Sequence, residues 1–359
     1  MSTRLGPHYR LSALRLREFG RQVLEAVKVA HEDAILMADL LVQADCRGVH
    51  SHGMVRLPVY ARRIEHGAMA AATELRVVSE SAGTLLLDGG NGPGHVACTR
   101  AMDLAVTKAQ GSGVAIVTIR NSNHNGTQAA YAMRALAANM IGFSATLGGK
   151  VMAPWGGVSP LLGNNPFGLA APTAEEPPFV LDMACSQVAR GWIILAEKRG
   201  EPIPTGWAID AKGNPTQDAK AALEGTVLPI GGYKGYGLSM LVAILTGVLT
   251  GAAVGTAAFG GDLGETNRSQ NCGHMLMAID VARFMPVSEF KARMDQLIRD
   301  MRASERIPGV DRIYVPGEIE QEAMREAEQL GVPIEITVLH ELDVLGRRLG
   351  ISREHWLEA

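Results

Sequence analysis

Little in this sequence advertises a common chemistry. Its 359 residues include four cysteines, Cys46, Cys98, Cys185 and Cys272, scattered and without a Cys-x-x-Cys pair. Neither a zinc ribbon nor a disulfide framework is therefore written here, and free thiols in a reducing cytoplasm are the expectation. Net charge is −3, with no basic block, which leaves no electrostatic footprint for nucleic acid. No Gly-x-Gly-x-x-Gly occurs. The nearest run, Gly90-Asn91-Gly92-Pro93-Gly94, has a proline inside it and its third glycine misplaced. A Walker loop is also missing, so the residues alone support neither a Rossmann domain nor a nucleotide. Met1–Arg10 carries no apolar core, so no signal peptide is expected. Internal repeats and disordered linkers are absent from the pattern.

What is present is an ordinary globular composition, 47% hydrophobic and 20% charged, in a chain long enough for two domains or one large one. The 41 glycines exceed the usual share of about 7% and cluster in loops, which points to backbone packed against ligand or other backbone. Gly235–Gly261 holds no charged residue and is long enough to span a bilayer. Gly247, Gly251, Gly255 and three threonines dilute it, however, and no aromatic belt or basic flank accompanies it. A soluble buried helix, in the core or at a subunit interface, is the expectation, with Gly251 at a close helix contact.

Ser12–Ala30 and Glu32–Ala44 carry apolar residues at spacings of three and four, as amphipathic helices do, and Met54–His66 continues helically with Arg56 and Tyr60 four apart. From about residue 75 short apolar runs alternate with glycine turns. Thr84–Asp88, Val114–Ile119, Ile141–Ala145, Phe179–Met183 and Met275–Asp280 read as strands, with helices over Ala97–Gln110 and Gln128–Asn139. Val287–Arg302, Glu318–Leu330 and His340–Gly350 read as helices and Pro333–Val338 as a strand. This is an α/β texture: a three-layer core with a mixed sheet over 71–319, plus an N-terminal helical domain over 1–70 that residues 320–359 rejoin.

The chemistry concentrates in Asp45-Cys46-Arg47-Gly48-Val49-His50-Ser51-His52-Gly53-Met54-Val55-Arg56. An imidazole moves protons near neutral pH, a serine relays them, and a guanidinium clamps a carboxylate through two parallel bonds. Reduction of a 2-oxo acid needs such a set. A local structural role, with Gly53 ending a helix, fits the same residues, and Arg56 paired to Asp45 is a further alternative. His50 and His52 share a face on a strand, yet no third metal ligand follows at a recognisable spacing, so no metal is expected.

Asp-x-Arg-Gly-x-x-Ser-His-Gly-x-x-Arg resembles the signature of the malate/L-lactate dehydrogenase family of the second, non-Rossmann type. The likeness continues through Asn121–Gly126, Ala153–Gly157, Gly163–Phe167, Asp182–Gly191, Ile203–Asp210 and Leu228–Gly237, in order. That family also holds ureidoglycolate and sulfolactate dehydrogenases, a diketogulonate reductase and reductases of cyclic imino acids. The resemblance implies NAD or NADP on a different α/β fold, and reversible hydride transfer between a 2-oxo and a 2-hydroxy acid. Site roles follow position by position. His52 and Ser51 are the catalytic pair. Arg56, Asn164, Arg190 and Gly191 bind substrate. His124, Asn125, Gly126, Thr127, Asp182, Met183, Ala184, Tyr233, Lys234, Gly317 and Glu318 contact the cofactor. Taken bare, Asp182 at a strand end is a ribose ligand or a helix cap, and Lys234 a phosphate partner or a solvated turn residue. Two positions depart from the pattern: His50 stands where aspartate is common, and Trp192 where lysine, or an acid in the imino acid reductases, is usual. Trp192 lowers the alternative reading, an NADPH-dependent reductase of piperideine- or pyrroline-2-carboxylate. A small-molecule partner, no nucleic acid, no membrane, a cytoplasmic location and a homodimer complete the expectations.

Overall fold

The computed structural model describes residues 6–260, 263–266, 268–352 and 356. The chain begins with β1 (His8–Leu11), α1 (Ala13–Ala26) and α2 (His31–Cys46), passes through two 3-10 turns over His50–His52 and Met54–Arg56, and enters α3 (Leu57–Glu65). The sheet segment follows: β2 (Arg76–Glu80), β3 (Thr84–Asp88), α4 (Gly94–Ser112), β4 (Val114–Ser122), α5 (Ala129–Ala132), β5 (Met140–Thr146), β6 (Phe167–Ala171) and β7 (Phe179–Met183). Next come α6 (Arg190–Arg199), a small hairpin of β8 (Ala208–Ile209) and β9 (Thr226–Val227) enclosing α7 (Ala219–Glu224), and α8 (Tyr233–Ala243). The chain closes with β10 (Cys272–Asp280), α9 (Val287–Arg302), α10 (Glu318–Leu330), β11 (Val332–Glu335) and α11 (Ile336–Arg348).

Seven strands form one sheet in the order β2-β3-β4-β10-β5-β6-β7. Only β3 and β4 run parallel, joined by α4 as a crossover; every other neighbouring pair is antiparallel. A mixed sheet is thus built, with neither a Rossmann order nor closure. Alternation decides the faces. Val117, Ile119, Leu276 and Ala278 pack against the alanine-rich face of α4, Ala97, Ala101, Ala105 and Ala109, in one apolar cluster. Small residues on that helix let it lie close to the strands. A separate core gathers α1, α2 and α3 with α10, β11 and α11, and Phe19 stacks on Trp356 with ring centroids 4.1 Å apart. β1 pairs antiparallel with β11, tying the two chain ends together.

The structure alters several expectations. The uncharged stretch 235–261 is not one buried helix. α8 starts before it at Tyr233, loosens into a π turn over Ile244–Val248, and gives way to turns and a 3-10 turn over Gly255–Ala257. Only its inner side is buried, while Leu238, Leu241, Ile244, Val248 and Leu249 face outward, Val248 62% exposed. Gly251 sits at φ +77 on the surface with only Arg120 near it, so it serves a left-handed turn, not a helix contact. The close approaches are elsewhere. A Cβ on Gly247 would lie 2.2 Å from Val254 Cγ1, and one on Gly273 would lie 1.6 Å from the Thr246 carbonyl oxygen. Gln128–Asn139 divides into α5 and a 3-10 turn, ended by Asn139 at φ +57. Strand character stops at Glu335, where α11 begins. Strands β2 and β6 were not expected: β2 is exposed at every position and shows no alternation, and Phe167–Ala171 is mostly small residues.

Gly273→Ala must push β10 away from the π turn, and overpacking of that kind costs on the order of 1–3 kcal/mol. Gly237, mid-helix in α8 with open space around it, is the control. Gly237→Ala should stabilise by up to about 1 kcal/mol through helix propensity. Urea unfolding of both variants checks the pair.

Candidate active site

The signature folds around Asp45. This residue, 3% exposed at the end of α2, receives His50 Nδ1 on one oxygen at 3.0 Å and the Met54 amide on the other at 2.7 Å. The chain between is forced into two tight turns. Gly53 makes them possible, since a Cβ there would sit 2.2 Å from the Asp45 carboxyl group. His50 is thus a structural partner of Asp45. The described residues hold no group of three or more candidate metal ligands. Arg56 Nε donates to the Ser51 carbonyl at 2.7 Å.

This turn presents Ser51, His52 and Arg56 to a cavity of about 100 Å³. The other walls come from far along the chain: His124 and Gly126 after β4, Gly148 and Gly149 after β5, Asn164, then Arg190 and Gly191 at the start of α6, with Phe259 and Leu263 above. Both catalytic and all four substrate residues expected from the sequence meet there. Asn164 is held by its carbonyl, which accepts from the Cys185 amide at 2.7 Å, and Arg190 Nη2 donates to the Leu223 carbonyl at 3.3 Å. Ser51 Oγ and His52 Nδ1 are 2.9 Å apart. The His52 ring stacks on His124, centroids 5.5 Å apart and 20° between planes. Lys150 bonds the Thr256 carbonyl and is not in the lining, and neither is Trp192.

The residues expected at the cofactor are spread more widely. Among them only His124 and Gly126 line the cavity. Asn125 is 1% exposed and turned inward, its amide on Cys98 Sγ and Gln128, so its side chain is structural. Asp182 accepts the Ala129 amide at 2.8 Å and so caps α5. Thr127 lies between that cap and His124, with Met183 and Ala184 just past Asp182. Tyr233 and Lys234 are exposed in the first turn of α8. Gly317, at φ +99, lies against Val180 of β7, two residues before Asp182. Glu318 is occupied: its carboxylate takes the Val315 amide and pairs with Arg302 and Arg312. Arg47 of the signature lies within electrostatic reach of Asp182 and Glu320. Four of the cavity's lining residues, Gly126, Gly148, Gly149 and Gly191, are glycines, whose backbone a flat ring can approach closely.

Sequence reasoning missed the support behind His124. Tyr60 Oη lies 2.7 Å from His124 Nδ1, Gln270 Oε1 accepts the His124 amide at 2.8 Å, and His95 sits edge-on to Tyr60 at 5.1 Å. The helical spacing of Arg56 and Tyr60 was the one available signal.

The buried imidazoles His52, His95, His124 and His274 are all pushed below their ordinary value. Burial, then the Arg56 charge and His95, pushes His52 down to about 3. Burial pushes His95 down to about 4 and His274 to about 3, and holds His124 well below its ordinary value. A carboxylate bound to Arg56 removes one of the causes acting on His52 and makes its protonation easier.

An oxidoreductase of 2-hydroxy and 2-oxo acids moves a proton beside a held carboxylate in this way. Comparison with known sequences gives the family: the chain belongs to the malate/L-lactate dehydrogenases, whose family model matches residues 11–343. It is similar to a malate dehydrogenase of Pyrococcus abyssi, 40% identical over 354 residues and 96% of each chain. A solved sulfolactate dehydrogenase of Methanocaldococcus jannaschii superposes with a TM-score of 0.90 at 36% identity, covering 98% of this chain and 100% of that one. A delta1-piperideine-2-carboxylate reductase of Pseudomonas syringae is more remote, 29% identical with a TM-score of 0.83 over 94% and 99%. The chain is therefore a dehydrogenase that works with a nicotinamide cofactor. No helix among the described residues is long and apolar enough to cross a membrane.

Acid should expose the buried histidines. Each stays neutral in the folded chain but has an ordinary value of 6.5 when unfolded. Below that pH the unfolded state binds protons that the folded state refuses. Their contribution to stability is therefore flat above about 6.5 and falls as pH drops toward 4. Urea midpoints taken across this range should show the slope, and His274→Gln should shallow it by about one proton.

Proposed function

We propose that this enzyme interconverts a 2-oxo acid carrying a second anionic group, of the malate or sulfolactate kind, and its 2-hydroxy form. One observation carries the reading: two guanidiniums, Arg56 and Arg190, line the same small cavity as His52, Ser51 and Asn164. Arg56 takes the carboxylate next to the reacting carbon, and Arg190 takes the anion at the other end. Asn164 bonds the carbonyl side, and Gly191 leaves room for the chain between. Bound NAD or NADP supplies or takes the hydride. His52 holds or moves the proton at the reacting oxygen, with Ser51 orienting its ring. A positioned acid–base of this kind contributes roughly 10²–10⁴-fold.

For the cofactor, His124, Gly126 and Thr127 border the nicotinamide, while Asp182, Met183 and Ala184 meet the ribose. The Asn125 contact is through backbone alone. Tyr233 with Lys234, and Gly317 with Glu318, flank the phosphate and adenosine ends. The reading includes a cytoplasmic homodimer that covers the outward apolar side of α8. Light scattering after gel filtration tests that part, with a monomer as the contrary result. Reduction of a cyclic imino acid is the weaker alternative. Trp192 lies outside the cavity, and among the described residues no acid lines it beside His52.

Arg56→Lys keeps the charge but loses the fork, so it should raise KM for 2-oxo acids more than it weakens NADH binding. Arg56→Ala should cost roughly 2–5 kcal/mol in kcat/KM. Arg190→Ala should penalise malate and sulfolactate far more than lactate. Steady-state kinetics on that panel, with a cyclic imino acid included, checks all three. Equal losses on every substrate would remove Arg190 from the site.

A further inference from the structure

Two imidazoles face one cavity, and the reaction moves one proton. Their hydrogen bonds tell them apart. His124 Nδ1 lies 2.7 Å from Tyr60 Oη and 3.3 Å from the Gly126 nitrogen, whose N–H is directed at it. A backbone amide only donates, so Nδ1 presents its lone pair and the ring proton of neutral His124 sits on Nε2. Tyr60 is 2% exposed, and burial keeps its phenol protonated, so its O–H serves the same lone pair. His52 is different. Its Nδ1 meets the Ser51 hydroxyl at 2.9 Å, and a hydroxyl both donates and accepts. His52 is free to change its proton count, and His124 is not.

We propose that Tyr60 is a positioning residue that holds His124 in the Nε2–H form as a fixed hydrogen-bond donor to the substrate oxygen, leaving proton transfer to His52 alone. This rests on the reading of the cavity as the 2-hydroxy acid site. With a nicotinamide cofactor bound to take the hydride, oxidation would pass the hydroxyl proton to Nε2 of neutral His52 while the O–H bonding pair became the new C=O π bond and the C–H pair left carbon as hydride. His52 is then an imidazolium whose Nδ1–H donates to Ser51 Oγ. Reduction returns the same proton to the same oxygen. Throughout, His124 polarises that oxygen and keeps its proton: among the described residues the groups around it, Tyr60, His95 and His274, are buried, and Arg56 and His52 oppose a further cation.

Three variants test this. His124→Gln keeps an N–H donor and should retain at least about tenfold more activity than His124→Ala, which loses one oxyanion donor, roughly 10²–10³-fold. His52→Gln cannot accept a proton and should be as poor as His52→Ala. Tyr60→Phe should lower kcat about tenfold, with KM, NADH affinity by fluorescence and the acid limb of the pH profile unchanged. The groups facing His124 in that profile are His52, Arg56, Tyr60, His95 and His274. A fully inactive His124→Gln beside a partly active His52→Gln would overturn the proposal, as would an acid limb that moves in Tyr60→Phe. Nitrogen-15 NMR of the resting enzyme reads the tautomer without substrate. His124 Nδ1 should show the unprotonated shift, and a protonated Nδ1 refutes the proposal even if turnover is as expected. If no 2-hydroxy acid is turned over while the tautomer is as stated, it is the reading of the site that fails.

Discussion

The site depends on one buried carboxylate. Asp45 is removed from water, and burial pushes its pKa up against the pull of His50 and the Met54 amide. An acid in that position is costly unless its oxygens are filled. Filling them draws residues 50 and 54 onto the end of α2 and folds the intervening chain into two turns. Ser51, His52 and Arg56 face outward from those turns because their backbone neighbours face in. The desolvation cost of one group thus becomes the geometry of three others.

From there order spreads along one face of α3. Arg56, Tyr60 and Arg63 follow at helical spacings of four and three. Arg56 reaches the cavity, Tyr60 reaches His124 from 64 residues away, and Arg63 clamps the segment after α8. Arg63 is 2% exposed and is met by the carbonyls of Ala68, Glu265 and Arg268 and by Asn123 Oδ1. A guanidinium has five donors in a fixed fork, so one side chain joins the helix to two loops. One of those loops continues into Gln270, which holds the His124 backbone. The wall after β5 has its own ties, the Gly148 amide donating to Asn165 Oδ1 at 2.9 Å and the Leu147 amide to the Gly273 carbonyl at 3.0 Å.

Much of this was legible in the sequence where the signal is local. Ser51, His52 and Arg56 lie within six residues of chain, so residue type and spacing sufficed to nominate them. Amphipathic spacing found α1 and α2, and the apolar runs found β3, β4, β5, β7 and β10. The tie of Tyr60 to His124 was not legible beyond the helical spacing that puts Tyr60 on the face of Arg56, because its partner lies 64 residues away. Asn125 was nominated by its motif, but motif membership does not say which way a side chain points. The stretch after Gly235 misled for a related reason. Small apolar residues at four-residue spacing describe a helix that something covers, yet α8 leaves its outer side open and Gly251 turns the chain. Histidine chemistry also read differently by sequence, since the ordinary value near neutrality ignores the burial that lowers His52 to about 3.

The most direct test of the account is the turnover of Gly53→Ala, measured beside its NADH affinity well below its melting temperature. The added methyl collides with the Asp45 carboxyl group and displaces the signature turn, while the walls after β4 and β5 stay in place. The account predicts that kcat/KM for malate falls at least about a hundredfold, within the range of a lost acid–base, while NADH still binds. Turnover within a few-fold of the parent would show that the Asp45 turn does not place the chemistry.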